Sequence, residues 1–162
     1  MSHSKKIVML GHFGVGKTSL VRRYIDDAFD EKYLVTVGVH VKKKSLEING
    51  QDIALIIWDI EGKTAVSEAR SSYLLGANGF LYVFDVTRPE TFENFESEVE
   101  ELNTKYPEVP VIVIGNKEDL LTPVTKEYFS QTEFDNILFT SALSGENVEK
   151  AFLDLTNKMI SS

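Results

Sequence analysis

Residues 11 to 18 read GHFGVGKT, the pattern G-x-x-x-x-G-K-[ST], directly after the apolar run Ile7-Val8-Met9-Leu10. Few short stretches constrain a fold as strongly. Gly11, Gly14 and Gly16 let the backbone turn tightly enough for several N–H groups to converge on phosphate oxygens. The helical pattern from Lys17 to Ile25 adds the positive end of a helix. A strand has to enter this loop and a helix has to leave it. Lys17 is expected to reach the β- and γ-phosphates, and the Thr18 hydroxyl to ligate Mg²⁺. An accidental glycine turn is the competing reading, and the flanking strand and helix count against it. The cradle alone names neither a base nor a reaction.

The rest of the chain repeats the theme. Ile53 to Trp58, Phe80 to Phe84, Val111 to Ile114 and Ile137 to Phe139 are short apolar runs ending near Asp59, Asp85, Gly115 and Ser141. Runs apolar on both faces predict strands covered by helices on both sides. Val39 to Ile48 and Ile53 to Trp58 flank Asn49-Gly50, a strong hairpin signal. Phe92, Phe95, Val99 and Leu102 have helical spacing, with Thr87 and Pro89 as start signals, and Val148, Ala151, Phe152, Leu155 and Met159 repeat it. Repeats, low-complexity tracts and linkers are missing, so residues 1–162 are expected to form one domain. The prediction is a three-layer α/β domain: six strands, mostly parallel, one joined antiparallel by the hairpin, helices on both faces. In such sheets ligands sit beyond the carboxyl ends of the strands, where each of these motifs falls.

Residues 116 to 119 read NKED at one of those ends. The Asp119 carboxylate can accept from N1–H and the 2-amino group of guanine. Adenine offers an acceptor at N1 and no 2-amino group, so it would leave Asp119 unpaired, and a hydrogen-bonding site rejects such a partner strongly. Four residues are a weak match by themselves. The cradle upstream and TSAL at 140 to 143 strengthen it.

With GHFGVGKT, Thr36 in TVGV, WDIEG, NKED and TSAL in this order, the chain resembles the Ras-like small GTPases over nearly its whole length. VGKTSLVRRY, TVGV and FDVTRPETFEN lean toward the Rab and Ras branches. The resemblance implies a P-loop NTPase G domain and a small monomeric GTPase that binds GTP and GDP. It implies a nucleotide site of Gly11, Phe13, Gly14, Val15, Gly16, Lys17, Thr18 and Ser19 in the cradle, with Phe29, Tyr33, Thr36 and Gly62 beyond it. Phe29 would stack on the base, although its ring could instead be core. Asn116 would brace the loops, Lys117 would lie along the base and Asp119 would read it. Ala142 N–H would bond the guanine carbonyl, with Ser141 supporting that loop and Leu143 completing it. Tyr33 would close over the phosphates. Thr18 and Thr36 would ligate Mg²⁺, Asp59 through a water, and Gly62 N–H would meet the γ-phosphate. Loss of that phosphate would free two switch regions, about 30–40 and about 60–75, whose surfaces effectors and regulators read. Trp58, Tyr73, Leu74 and Leu75 are candidates for that surface, some of them core.

Three residues depart from the family pattern. Lys63 stands where Gln is usual. A glutamine can accept from an attacking water while donating elsewhere, and phosphoryl transfer rests on such positioning and on charge stabilisation. A charged lysine has donors and no acceptor, so Lys63 cannot orient water in that way. It can still bring positive charge to the γ-phosphate, and this makes Lys17, Thr36, Gly62 and Lys63 the catalytic candidates. A solvent-facing Lys63 with no role is the alternative. Thr64 offers a hydroxyl that can accept. Glu61 stands in place of the usual Ala and is expected to point away from triphosphate. Phe13 replaces a small residue and would crowd an arginine finger, which is worth roughly 10³ to 10⁵ in rate. Slow hydrolysis is expected, and a non-hydrolysing GTP-binding scaffold or subunit is the second reading. An ATP-dependent kinase sharing the cradle is a weaker third, since it leaves NKED and TSAL unexplained.

Composition narrows the partners. Net charge is −8, which argues against general affinity for nucleic acid or anionic membrane. Lys42-Lys43-Lys44 is the dense basic run, read as a solvated strand face or, less simply, a partner contact. There is no cysteine, so disulfides, thiolate metal sites and Cys-directed lipid anchors are excluded. Residue 2 is Ser, so the myristoylation signal is missing, and no secretory signal or membrane span is visible. Many family members carry a prenylated tail where this chain stops. The expectation is a cytoplasmic monomer, with any membrane recruitment left to partners, unless a native tail has been removed.

Overall fold

The computed structural model describes residues 3–26, 38–60, 71–131 and 134–161. Six strands form one sheet in the order β2-β3-β1-β4-β5-β6. They are β1 (His3–Gly11), β2 (Val39–Ile48), β3 (Gln51–Ile60), β4 (Gly79–Asp85), β5 (Val111–Asn116) and β6 (Ile137–Thr140). β2 runs antiparallel to β3, and all other pairs are parallel. The helices are α1 (Lys17–Asp26), α2 (Ser71–Leu74), α3 (Phe95–Lys105), α4 (Pro123–Phe129) and α5 (Val148–Ser161). This is the predicted α/β architecture, with helices around a mostly parallel sheet.

Alternation along the buried strands builds the layers. Ile7 and Met9 point into a core closed by Leu20, Val21 and Tyr24 of α1 and by Phe152 and Leu155 of α5. Val8 and Leu10 point into the opposite core, with Phe80, Tyr82, Leu74 and Leu102. Residues 7–10 of β1 and the whole of β4 are therefore buried on both faces, which is why they read as continuous apolar runs. Tyr24 stacks on Phe152 at 4.0 Å and 2°, fixing α1 against α5. The hairpin turns on Asn49 and Gly50, at φ 53° and 77°, the left-handed pair that suits a tight two-residue turn.

Two sequence expectations need amendment, one on β2 and one on α3. β2 is an edge strand with a largely exposed side-chain pattern, in keeping with the solvated face read from its basic run. Within it Lys42 and Lys43 are solvated, but Lys44 lies over the Tyr24 ring at 3.9 Å and donates to the Tyr24 carbonyl at 2.8 Å. It is a strut between β2 and α1. Thr87 and Pro89, in turn, do not open α3. Pro89–Thr91 is a short 3₁₀ turn, and α3 starts at Phe95. Thr87 donates from its N–H and hydroxyl to Asp85 Oδ1 at 2.8 and 2.6 Å, and Thr91 Oγ1 accepts from the Asp85 N–H at 2.9 Å. Such local side-chain bonds hold the backbone out of a helix. Phe92 instead joins a buried aromatic cluster with Phe84, Phe129 and Phe134. α4 is compact, seven residues long, and opens on a capping box between Thr122 and Thr125.

Candidate functional site

β1, β3, β4, β5 and β6 end along one edge of the sheet on Gly11, Ile60, Asp85, Asn116 and Thr140. The ladder aligns Met9 with Asp59, Gly11 with Val83, Asp85 with Asn116, and Asn116 with Thr140. That register brings residues far apart in sequence to one rim.

The cradle loop spans Gly11 to Gly16, and α1 starts at Lys17. Gly11, Gly14 and Gly16 all have positive φ, at 141°, 79° and 104°. A Cβ on Gly16 would lie 2.2 Å from Asn116 Nδ2, so the loop can approach the β5 end only as glycine. Lys17 is 6% exposed, and its ammonium donates to the carbonyls of Gly11 and His12 at 2.9 and 3.0 Å. Burial pushes it down to about 8, partly opposed by Asp59. The chain thus holds a desolvated cation at the mouth of the helix, where anionic phosphate would favour its charged form. The Thr18 hydroxyl donates to Asp59 Oδ2 at 2.5 Å, and Asp59 is 2% exposed. Hydroxyl and carboxylate oxygens meeting beside a phosphate cradle suit a hard cation such as Mg²⁺. Val15 lies in the core, so its backbone alone can face a ligand. Ser19 follows in the first turn of α1, half-buried. Phe13 is 41% exposed at the loop's outer turn, and Arg88 Nη1 donates to its carbonyl at 2.8 Å.

The second half of the rim is tied to the first. Asn116 Nδ2 donates to the Val15 carbonyl at 2.9 Å, and Asn116 Oδ1 accepts from Thr140 Oγ1 at 3.0 Å. One buried amide therefore joins the cradle, β5 and β6. Lys117 sits at φ 70°, and its ammonium lies 2.7 Å from Asp85 Oδ2 and donates to the Gly14 carbonyl at 3.3 Å. Ser141 Oγ donates to Asp119 Oδ1 at 2.7 Å and accepts from Ser144 N–H at 3.1 Å. This fixes the exposed Asp119 carboxylate against the loop after β6. Ala142 is buried and Leu143 exposed, and both carbonyls are held by Arg23.

The structure gathers Gly11, Phe13, Gly14, Val15, Gly16, Lys17, Thr18, Ser19, Asp59, Asn116, Lys117, Asp119, Ser141, Ala142 and Leu143 along this rim. Phe29, Tyr33, Thr36, Glu61, Gly62, Lys63 and Thr64 lie outside the described residues. Of the suggested surface residues, Leu74 is core and Leu75 is exposed. Trp58 and Tyr73 are half-buried with rings 6.2 Å apart. Sequence reasoning missed Asp85, Thr140, Arg23 and Arg88. Asp85 had a signal: it is a carboxylate closing a fully buried strand. Arg23 had one too, falling three residues after Leu20 on the apolar stripe of α1.

Asp85 yields a direct expectation. It is fully buried and anchors Lys117. Asp85→Asn is expected to let a nucleotide gripped by Lys117 leave about 10-fold faster or more, near the low end for hydrogen bonds to charged groups. Stopped-flow release of a fluorescent GDP derivative checks it.

Comparison with known proteins agrees with this geometry. The sequence model of the Ras family matches residues 6–161. The GTP-binding protein ypt1 of Schizosaccharomyces pombe (strain 972 / ATCC 24843) is 36% identical over 160 residues, which is 95% of this chain and 79% of that protein. The chain belongs to the Ras family and is a Ras-like, Rab-type small GTPase. No helix among the described residues is long and apolar enough to cross a membrane.

Proposed function

We propose that residues 1–162 form one guanine-nucleotide switch, which binds GTP and GDP with Mg²⁺ and hydrolyses GTP slowly. The observation that carries this reading is the Asp119–Ser141 bond together with the Asn116 bridge. They hold a carboxylate able to read guanine N1–H and N2–H₂ in rigid relation to the phosphate cradle. Lys117 lies along the base and Ala142 N–H meets its carbonyl oxygen, while Phe29 stacks on it. Lys17 reaches the β- and γ-phosphates, and the N–H groups of the cradle surround them. Thr18 and Thr36 would hold Mg²⁺ and Asp59 would hold it through a water, with Tyr33 and Gly62 N–H serving the γ-phosphate; the ion would supply neutralisation of phosphate charge. The protein works as a cytoplasmic monomer and signals to effectors and regulators through residues about 30–40 and about 60–75, with any recruitment to a membrane left to partners. Competition against a fluorescent GDP derivative tests this: GDP and GTP should displace it, and ADP and ATP should not. Equal displacement by ATP would refute guanine selectivity.

Hydrolysis is the finer step. Lys63 supplies charge without an acceptor for the attacking water, so Lys63→Gln is expected to raise single-turnover GTP hydrolysis, by about 10-fold or more. A sharp fall on Lys63→Ala would instead make Lys63 catalytic. One observation favours the second reading, a GTP-binding module without turnover. Phe13, whose carbonyl accepts from Arg88 at 2.8 Å, is exposed on the cradle loop, and a ring there would crowd an activating arginine. GTP persisting unhydrolysed in both wild type and Lys63→Gln would support it.

A further inference from the structure

Arg23 lies on α1, the helix that begins at the cradle lysine, yet its guanidinium is spent on a different loop. Nε donates to the Ala142 carbonyl at 2.8 Å, and Nη2 donates to the Leu143 carbonyl at 2.7 Å. Two consecutive carbonyls held by one planar fork fix two peptide planes at once. The preceding plane, which carries the Ala142 N–H, is held by its Ser141 carbonyl accepting from Gly145 N–H at 2.8 Å. A Cβ on Gly145 would lie 3.6 Å from Arg23 Cδ, so the arginine stem packs along that same turn. Ala142 is thus clamped on both sides, internally by Gly145 and externally by a helix that starts in the phosphate cradle.

We propose that Arg23 is a positioning residue for base recognition, which aims the Ala142 N–H at the carbonyl oxygen of guanine and couples that contact to the phosphate grip through α1. The proposal rests on the reading of Ala142 given above. Arg23 need not touch the nucleotide. Losing its fork frees the two planes that follow the Ala142 Cα, leaving the Gly145 bond alone to hold the preceding plane, and its N–H then points less accurately. The cost therefore falls on ligands that use the position-6 oxygen.

The test compares release of GDP and of 6-thio-GDP from wild type, Arg23→Met and Arg23→Lys, by stopped flow with excess competing nucleotide. The thio compound keeps N1–H and the 2-amino group read by Asp119, and replaces the oxygen by a weaker-accepting sulfur. Wild type should release 6-thio-GDP faster than GDP. Arg23→Met should release GDP about 10-fold faster than wild type, and the ratio between the two ligands should shrink toward one. Arg23→Lys, which retains a cation but no fork, should fall between them, and it keeps the test decisive if the methionine variant fails to fold. A wild type that does not distinguish the ligands would refute the Ala142 reading itself. A wild type that does, with both releases accelerated equally in the variants or with no change in them, would refute the role of Arg23 alone.

Discussion

Asp119→Asn is expected to weaken GDP binding on the order of 10³-fold or more and to improve binding of xanthosine diphosphate. The carboxylate accepts from both N1–H and the 2-amino group of guanine. An asparagine keeps one acceptor and sets a donor against the amino group, leaving a clash of donors in a desolvated site. Xanthine carries an oxygen at position 2, so the same amide then finds a partner at both atoms. The substitution is conservative toward its surroundings, because Ser141 Oγ donates to Asp119 Oδ1 at 2.7 Å and an asparagine carbonyl accepts equally well. A change in preference with unchanged melting of the nucleotide-free protein is the expected pattern. GDP affinity retained within about threefold would mean that Asp119 does not read the base.

Gly11→Ala should be the most damaging single methyl in the cradle. Gly11 sits at φ 141° and pairs with Val83 in the β1–β4 ladder. A Cβ there would lie 2.1 Å from the Val83 carbonyl oxygen, a backbone atom inside the sheet. Side-chain repacking cannot relieve such a contact, so strand and loop must separate. Strained backbone and steric overlap together are expected to cost roughly 3 kcal/mol or more. For a chain of this size that is a fall in melting temperature of about 10 °C. Thermal melting of the nucleotide-free protein measures it, and a melting temperature within about 2 °C of wild type would contradict the close approach.

Local chemistry made much of this fold legible in advance. Gly-rich spacing between a strand and a helix announced the cradle, and Asn49-Gly50 announced the hairpin, because each is decided by neighbours in sequence. The alternation between two cores was readable in β1 and β4 for the same reason. What stayed hidden depends on contacts between distant segments. Arg23 meets Ala142 and Leu143 across 119 and 120 residues of sequence. Asp85 and Lys117 meet only because β4 and β5 end in register. Lys44 looked like part of a solvated basic run until Tyr24 was placed under it. The start of α3 was misplaced because Asp85 and Thr91 side chains bond the intervening backbone, which outweighs the helical spacing of Phe92. The nucleotide rim was largely readable as motifs, whereas the braces that align those motifs were not.

A guanine nucleotide held on this rim should survive purification in Mg²⁺, and denaturing the protein and separating what is released by ion-exchange chromatography identifies it. Guanine nucleotide near one per chain is the expected result, mostly GDP if slow hydrolysis proceeds despite Lys63. Adenine nucleotide, or an empty protein that does not take up GDP on addition, would contradict it.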